Sequence, residues 1–141
     1  MRHLGLLVAL SLALAGCSSN RVSEAIRAQL HAGKAIDLRS VEAGDWDRVC
    51  VLGPYSSDQA AKEALGFSWP VEARSSIEES DSISLLLFVR GKQVALAAEH
   101  PRTQGDFAEL SGRCFAPEHA QFVRRADRAD NWPELVPRGG A

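Results

Sequence analysis

The chain has 141 residues, which is the length of a single domain. Its 16 basic and 18 acidic residues give a formal net charge of −2, and this balance excludes the strongly basic surface typical of a nucleic-acid binder. Apolar residues make up 45% of the chain, so it has the composition to form a globular core.

The N-terminal segment has the pattern of a targeting signal. A short positive start precedes an apolar run over residues 4–14. This run matches the apolar region of a signal peptide and is too short to span a membrane. It ends in Leu-Ala-Gly-Cys at residues 14–17. An ordinary secretory signal, cleaved after a small residue, is the alternative that this pattern leaves open.

The Leu-Ala-Gly-Cys ending resembles the lipobox of bacterial lipoproteins. The resemblance implies that residues 1–16 are removed and that Cys17 carries acyl chains as the first residue of the mature chain. Two or more chains anchor a protein stably to a membrane. By the same resemblance, Ser18 in place of aspartate favours the outer membrane, with the domain facing the periplasm. Residues 17–22 are then expected to form a lipidated tether.

The remaining cysteines, Cys50 and Cys114, are expected to form a disulfide, because the signal implies an oxidising compartment. Closing a loop of this length stabilises a fold by about 4 kcal/mol in the chain-entropy model. A redox-active pair would more typically show C-x-x-C spacing, which the two cysteines lack. Two free buried thiols remain the alternative.

Hydrophobic periodicity and turn signals predict a short series of elements. Helices are predicted over residues 23–30, after a capping box at Ser56, and over 117–125. Strands are predicted over residues 35–42, 46–52, 83–89 and 93–99, with hairpins joining the first two and the last two. Residues 67–82 read as an irregular acidic segment, and residues 126–141 as a disordered tail.

These elements predict an α+β domain over residues 23–125. We expect a single antiparallel sheet of four to five strands, two or three short helices against it, and one disulfide. Beyond the lipobox, the mature part resembles the many small lipoproteins of the proteobacterial envelope.

Catalytic motifs are absent from the sequence. It contains no nucleophile elbow, S-x-x-K, H-E-x-x-H, P-loop or dinucleotide-binding glycine motif, so no cofactor, metal site or catalytic residue is predicted. His100 is interpreted as a solvated loop histidine. A small envelope hydrolase that uses His100 with Glu99 or Asp106 is the weakest of the hypotheses that we retain.

Five residues are candidate contacts for a partner. Exposed aromatic residues on connecting segments often anchor interfaces, and Tyr55 and Trp69 flank the second predicted helix. Glu78, Glu79 and Asp81 form an acidic loop that could meet a basic patch. The alternatives are aromatic rings that fold back onto the core and a simply solvated acidic loop.

The leading hypothesis is a non-enzymatic binding or structural module of the cell envelope, anchored to the membrane by its acyl chains and bound to another envelope protein. The alternative within the same class is a periplasmic inhibitor or immunity protein that inserts its acidic loop into a secreted hydrolase.

Overall fold

The computed structural model describes residues 15–125 and 132–140, with side chains from residue 18 onward. The helices are α1 (Ala15–His31), α2 (Asp58–Leu65) and α3 (Val71–Arg74). The strands are β1 (Ile36–Asp37), β2 (Arg48–Leu52), β3 (Ile83–Arg90), β4 (Gln93–Pro101), β5 (Cys114–Phe115), β6 (Gln121–Arg124) and β7 (Leu135–Pro137). None of the described helices is long and apolar enough to cross a membrane.

The main sheet has four antiparallel strands in the order β4-β3-β2-β5. Its central strands β2 and β3 are apolar on both faces because both faces are covered. Leu86 and Phe88 of β3 contribute to one core, and Leu85 and Leu87 to the other. The predicted α+β class and the β3–β4 hairpin are confirmed.

Different layers cover the two faces of the main sheet. Val22 and Ile26 of α1 belong to the first core, together with Phe122 from a second antiparallel sheet of order β1-β6-β7. Leu65 of α2 and Val71 of α3 belong to the second core. The sequence predicted a single antiparallel sheet of four to five strands, whereas the structure has one sheet of four strands and a second of three.

The predicted disulfide is confirmed. Cys50 on β2 and Cys114 on β5 lie opposite each other in the antiparallel register, with their Cα atoms 4.0 Å apart. The bond ties the two-residue strand β5 to a central strand of the sheet. It therefore covalently links the early part of the domain to its C-terminal part.

The end signals of α2 are close to those predicted. Its N-cap is Ser57, one residue after the predicted Ser56, and the Ser57 hydroxyl accepts a hydrogen bond from the Ala60 amide. Gly66 closes the helix in the left-handed conformation at φ 80°, where a residue with a Cβ would be strained.

Two predicted elements are wrong. The strand predicted over 35–42 stops after Asp37, whose carboxylate accepts from the Arg39 amide and begins a 3₁₀ turn. The shortened strand β1 pairs with β6 instead of β2. The helix predicted over 117–125 is a 3₁₀ turn over Pro117–His119 followed by β6. Phe122 is buried opposite Ile36, and this sheet pairing overrides the local helix signal.

The structure also differs from the predictions at both ends of the described chain. Residues 17–22 lie within α1, and Val22 is fully buried, so the expected tether is helical in the structure. The disordered tail is wrong for residues 132–140, because β7 pairs with β6 and Leu135 is buried. The remaining tail residues, 126–131 and 141, lie outside the described part of the chain.

Candidate partner-binding surface

Tyr55 has an unusual backbone and an unusual exposure. It follows β2 and, with φ 63°, is the one non-glycine residue with positive φ in the described part of the chain. Its relative exposure is 62%, so most of this large side chain is open to solvent. The left-handed conformation costs a residue with a Cβ about 1–2 kcal/mol. The Tyr55 amide donates a 2.8 Å hydrogen bond to the Ile77 carbonyl. This bond holds the strained turn against the segment that begins at Ile77.

That neighbouring segment carries the first two acidic candidates. Ile77–Glu79 is a 3₁₀ turn whose Ile77 side chain is fully buried, whereas Glu78 and Glu79 are exposed. Neither carboxylate forms an ion pair with a described residue. The pKa of Glu78 is raised, first by desolvation and then by the neighbouring carboxylates of Glu72, Glu79 and Asp58. The turn is thus a local concentration of negative charge.

Two other carboxylates in this region serve the fold. Asp58 begins α2 and Glu72 lies in the first turn of α3, so the starts of two helices meet here. The Asp58 amide donates to Glu72 Oε1 at 3.1 Å, and the Glu72 amide donates to Asp58 Oδ1 at 2.9 Å. Each carboxylate satisfies a free backbone N–H group of the other helix. Their charges therefore stabilise helix ends, whereas those of Glu78 and Glu79 remain available.

We call Tyr55, Glu78 and Glu79 the acidic–aromatic surface. Of the five sequence candidates, these three are brought together by the backbone hydrogen bond between Tyr55 and Ile77. Asp81 is exposed, but its backbone carbonyl accepts from Arg102 at 2.7 Å, which turns this part of the loop toward a different cluster.

The partner hypothesis requires Trp69 to be exposed on a loop, but much of its side chain is covered. It is half-buried and packs against the second core. It also lines a shallow depression with Arg74 and residues 94–97 of β4. Its ring therefore has a packing role, as the fold-back alternative predicted.

His100 is fully buried, so its interpretation as a solvated loop residue is wrong. Its Nε2–H donates to the Gln104 carbonyl at 3.1 Å, and its Nδ1 lies 3.1 Å from the Ser23 hydroxyl of α1. Phe107 contacts the ring edge-on. Burial lowers the pKa of His100 to about 4 and so keeps the ring neutral near pH 7.

The acid–base pairs proposed for a hydrolase are not assembled by hydrogen bonds to His100. The Glu99 carboxylate accepts from the amide and hydroxyl of Ser76. The Asp106 carboxylate accepts from Arg102 and from the Ala108 amide. Both carboxylates are thus engaged elsewhere.

A charged cluster that the sequence pattern does not reveal fixes the C-terminal segment. Arg102 forms a two-bond ion pair with the buried carboxylate of Asp106, at 2.8 and 3.0 Å, and its guanidinium carbon lies 3.9 Å from the centre of the Trp132 ring. The Asp106 amide donates to the Pro133 carbonyl, and the Leu135 amide donates to the Asp106 carbonyl. The only sequence signal was the Arg–Asp spacing of four residues. We call Arg102, Asp106 and Trp132 the arginine junction.

Neither a metal site nor a known relative defines the chemistry further. Among the described residues, no group of three or more His, Cys, Asp or Glu side chains is placed to hold a metal ion. Comparison of the chain with protein-family models, curated proteins and solved structures finds no match. The acidic–aromatic surface is suited to non-covalent binding of a cationic group, which needs only exposed carboxylates and an aromatic anchor.

Proposed function

We propose that the protein is a membrane-anchored binding module of the cell envelope, facing the periplasm, and that its acidic–aromatic surface binds a cationic partner protein. The observation that carries the proposal is Tyr55, a strained and exposed aromatic residue on a turn bonded to the one that carries Glu78 and Glu79. Neither carboxylate has an ion-pair partner among the described residues. Backbone strain at an exposed residue persists only where the surrounding structure imposes it, and such residues cluster at functional sites.

The chemistry of the surface suits a protein interface. Tyrosine offers a large, rigid contact area at a small entropic cost and is enriched among the residues that dominate binding energy. Glu78 and Glu79 would attract lysine or arginine side chains and speed encounter with a basic patch. The partner is therefore expected to present cations around an apolar recess that accepts the Tyr55 ring.

The anchoring part of the proposal is supported by the lipobox resemblance at residues 14–17. Cys17 is five positions before the buried Val22, both within α1. At about 1.5 Å per helical residue, this distance corresponds to roughly 7 Å. A lipidated Cys17 would thus hold the domain close to the membrane, and the partner would lie near the same surface. Ser18 supports the outer membrane as the location.

Membrane anchoring is tested by replacing Cys17, the proposed acceptor of the acyl chains. We expect the full chain expressed in a Gram-negative host to partition with detergent and to show the mass of an acylated N-terminus at Cys17. Cys17→Ser should remain unacylated and move to the aqueous phase. Aqueous partitioning of the wild-type protein with an unmodified cysteine would contradict the lipid anchor and leave the domain's binding role to be tested separately.

Binding is tested by crosslinking and affinity purification from solubilised membranes. We expect one stoichiometric partner with the wild-type protein and its loss with Glu78→Lys/Glu79→Lys and with Tyr55→Ala. Glu109→Lys is the matched control, because Glu109 is exposed on a different 3₁₀ turn. Equal recovery with all variants would reject the acidic–aromatic surface as the contact.

The inhibitor or immunity function uses the same surface, because an exposed ring beside two carboxylates on a short turn can enter a basic cleft. It predicts that the captured partner is a secreted hydrolase and that the wild-type protein lowers its activity. Glu78→Lys/Glu79→Lys should then relieve inhibition, whereas Glu109→Lys should not. A partner without hydrolase activity would select the structural or assembly role.

A further inference from the structure

Strand β4 forms one edge of the main sheet. It pairs with β3 on one side and with no described strand on the other. An edge strand presents backbone N–H and C=O groups with which another chain can pair, and proteins usually protect such edges with charges, proline or a short strand. Strand β4 has nine residues, and its stretch 94–98 reads Val-Ala-Leu-Ala-Ala. This stretch therefore lacks protective side chains.

Two hydrogen bonds show which backbone groups of β4 point away from β3. The Arg102 amide donates to the Ser82 carbonyl, and hydrogen-bonded pairs alternate along an antiparallel ladder, so Glu99 and Ala97 fall at positions that do not bond to β3. In agreement, the Glu99 carbonyl accepts a 3.1 Å bond from the Ser23 hydroxyl of α1. No hydrogen bond from a described residue outside β3 reaches the backbone of Ala97.

The unprotected stretch is short because both of its ends are closed. Ser23 occupies the carbonyl at Glu99. At the other end the register passes from Leu96 opposite Phe88 to Val94 opposite Val89, so Ala95 has no partner on β3 and forms a bulge that interrupts regular pairing. We call residues 95–97 the open edge. Its length suits a short added strand better than a long edge-to-edge contact with a second copy.

The open edge adjoins a depression that is apolar and carries a cation. The depression has a volume of about 340 Å³ and is lined by Trp69, Arg74 and residues 94–97. Arg74 is the one charged residue in this lining, is exposed, and forms no ion pair with a described residue. A second depression shares Trp69, but its Asp58 and Lys62 carry one charge of each sign. The site beside the open edge is therefore complementary to an apolar group and an anion.

We propose that the open edge binds an extended segment of a partner protein as an added strand, with an apolar side chain on Trp69 and an acidic side chain on Arg74. The depression runs along four consecutive residues of β4, so it faces side chains of a passing chain rather than a chain terminus. Backbone pairing would supply affinity, and the depression would supply specificity. The open edge shares no residue with the acidic–aromatic surface and thus adds a second interaction site.

The test is a calorimetric titration of the purified full chain with a capped peptide, acetyl-Ser-Thr-Val-Thr-Glu-Thr-Val-Thr-amide. Its residues favour strands, and its valines and glutamate share one face. We expect saturable binding and about fivefold weaker binding of the same peptide with glutamine in place of glutamate. Two N-methylated forms test strand pairing. One is methylated at the valines and glutamate, the other at the threonines between them, and only one of the two should lose binding because only one edge of the peptide pairs.

Protein variants locate the binding. Arg74→Gln should remove the preference for the glutamate peptide, whereas Arg124→Gln, an exposed arginine of β6, should retain it. Ala97→Pro removes an outward amide and should weaken binding about tenfold, since proline is tolerated at a sheet edge but cannot donate. Unfolding curves establish that each variant is folded, and the N-methylated peptides test the pairing without altering the protein.

Several results would overturn the proposal. They are no saturable binding at millimolar peptide, equal affinity for the glutamate and glutamine peptides, and equal binding of the two N-methylated forms. Sedimentation tests the other occupant. A dimer that Ala97→Pro dissociates and that the peptide does not compete with would mean that a second copy covers the open edge.

Discussion

The arginine junction and the acidic–aromatic surface use charge in opposite ways. At the junction the Asp106 side chain is 3% exposed, and its carboxylate is held by two hydrogen bonds from Arg102. At the surface, Glu78 and Glu79 are exposed and form no ion pair within the described part of the chain, and Tyr55 is held in a strained conformation. Paired, buried charges hold elements together, whereas strained and unpaired groups contribute little to the fold. The acidic–aromatic surface is therefore the better candidate for a binding site, because its residues are not needed to hold the fold together.

The largest expected effect comes from breaking the junction. Asp106→Ala leaves Arg102, whose side chain is only 21% exposed, without its counter-charge and removes the acceptor for the Ala108 amide. We expect a loss of about 3 kcal/mol in the free energy of unfolding, measured in urea, because an unpaired buried charge is strongly destabilising. Hydrogen exchange should rise in β7, which the Asp106 backbone helps to hold.

The control for this prediction is a surface pair. Asp45→Ala removes the partner of Arg90 in a 3.8 Å ion pair with both side chains largely exposed, and should give no measurable change. If Asp106→Ala is as stable as Asp45→Ala, the contrast between a structural junction and a free surface is wrong.

The second effect is the pH dependence of the buried region. The pKa of His100 is about 4 in the folded protein and near 6.5 when unfolded, so the unfolded state binds more protons between these values. Stability is therefore fully retained above about pH 6.5 and falls as the pH drops toward 4, by about 2 kcal/mol at pH 5. Urea unfolding at pH 7.5 and 5 measures this loss.

His100→Gln separates this loss from the titration of carboxylates, because all other groups are shared with the wild type. The variant is less stable at pH 7.5 but should show a smaller decrease between pH 7.5 and pH 5. An identical decrease in both proteins would mean that His100 does not carry the acid sensitivity of the α1–β4 contact.

The third effect concerns the strained residue. Tyr55→Gly relieves the positive-φ strain but increases the freedom of the unfolded chain, so the two contributions oppose each other. We expect the free energy of unfolding to stay within about 1 kcal/mol of the wild-type value, or to rise, while partner recovery is lost. A large loss of stability would show that the Tyr55 ring supports the fold and would contradict its assignment as a binding group.

The elements that depend on local sequence pattern could be predicted. Strand β3 is apolar on both faces over Leu85–Val89, so its central position and the hairpin with β4 could be derived. The disulfide followed from two cysteines in a proposed oxidising compartment. Tyr55, Glu78 and Glu79 were recognisable as candidates from an aromatic residue at a turn and a run of acids.

What could not be predicted depends on contacts between distant segments. Polar neighbours made His100 look solvated, but it is buried by Phe107 and bound by Ser23 from α1. Strand β7 contains only three residues, of which the last is Pro137, and it is fixed by pairing with β6 and by hydrogen bonding to Asp106. The proximity of Tyr55 to Glu78 depends on the backbone bond to Ile77, for which the sequence holds no signal.

The smallest expected effect tests whether the acidic–aromatic surface lowers the free energy of unfolding of the isolated protein. The pKa of Glu78 is raised, so the folded state holds its proton more tightly than the unfolded state, and its negative charge slightly opposes folding once the pH exceeds the folded pKa. Glu78→Gln should therefore leave stability at pH 7 unchanged or slightly higher, in unfolding curves compared with Glu109→Gln. The same substitution should weaken capture of the partner, because it removes charge without removing bulk. If Glu78→Gln instead destabilises the protein clearly, the carboxylate has a structural partner, and the surface resembles the arginine junction more than a free binding site.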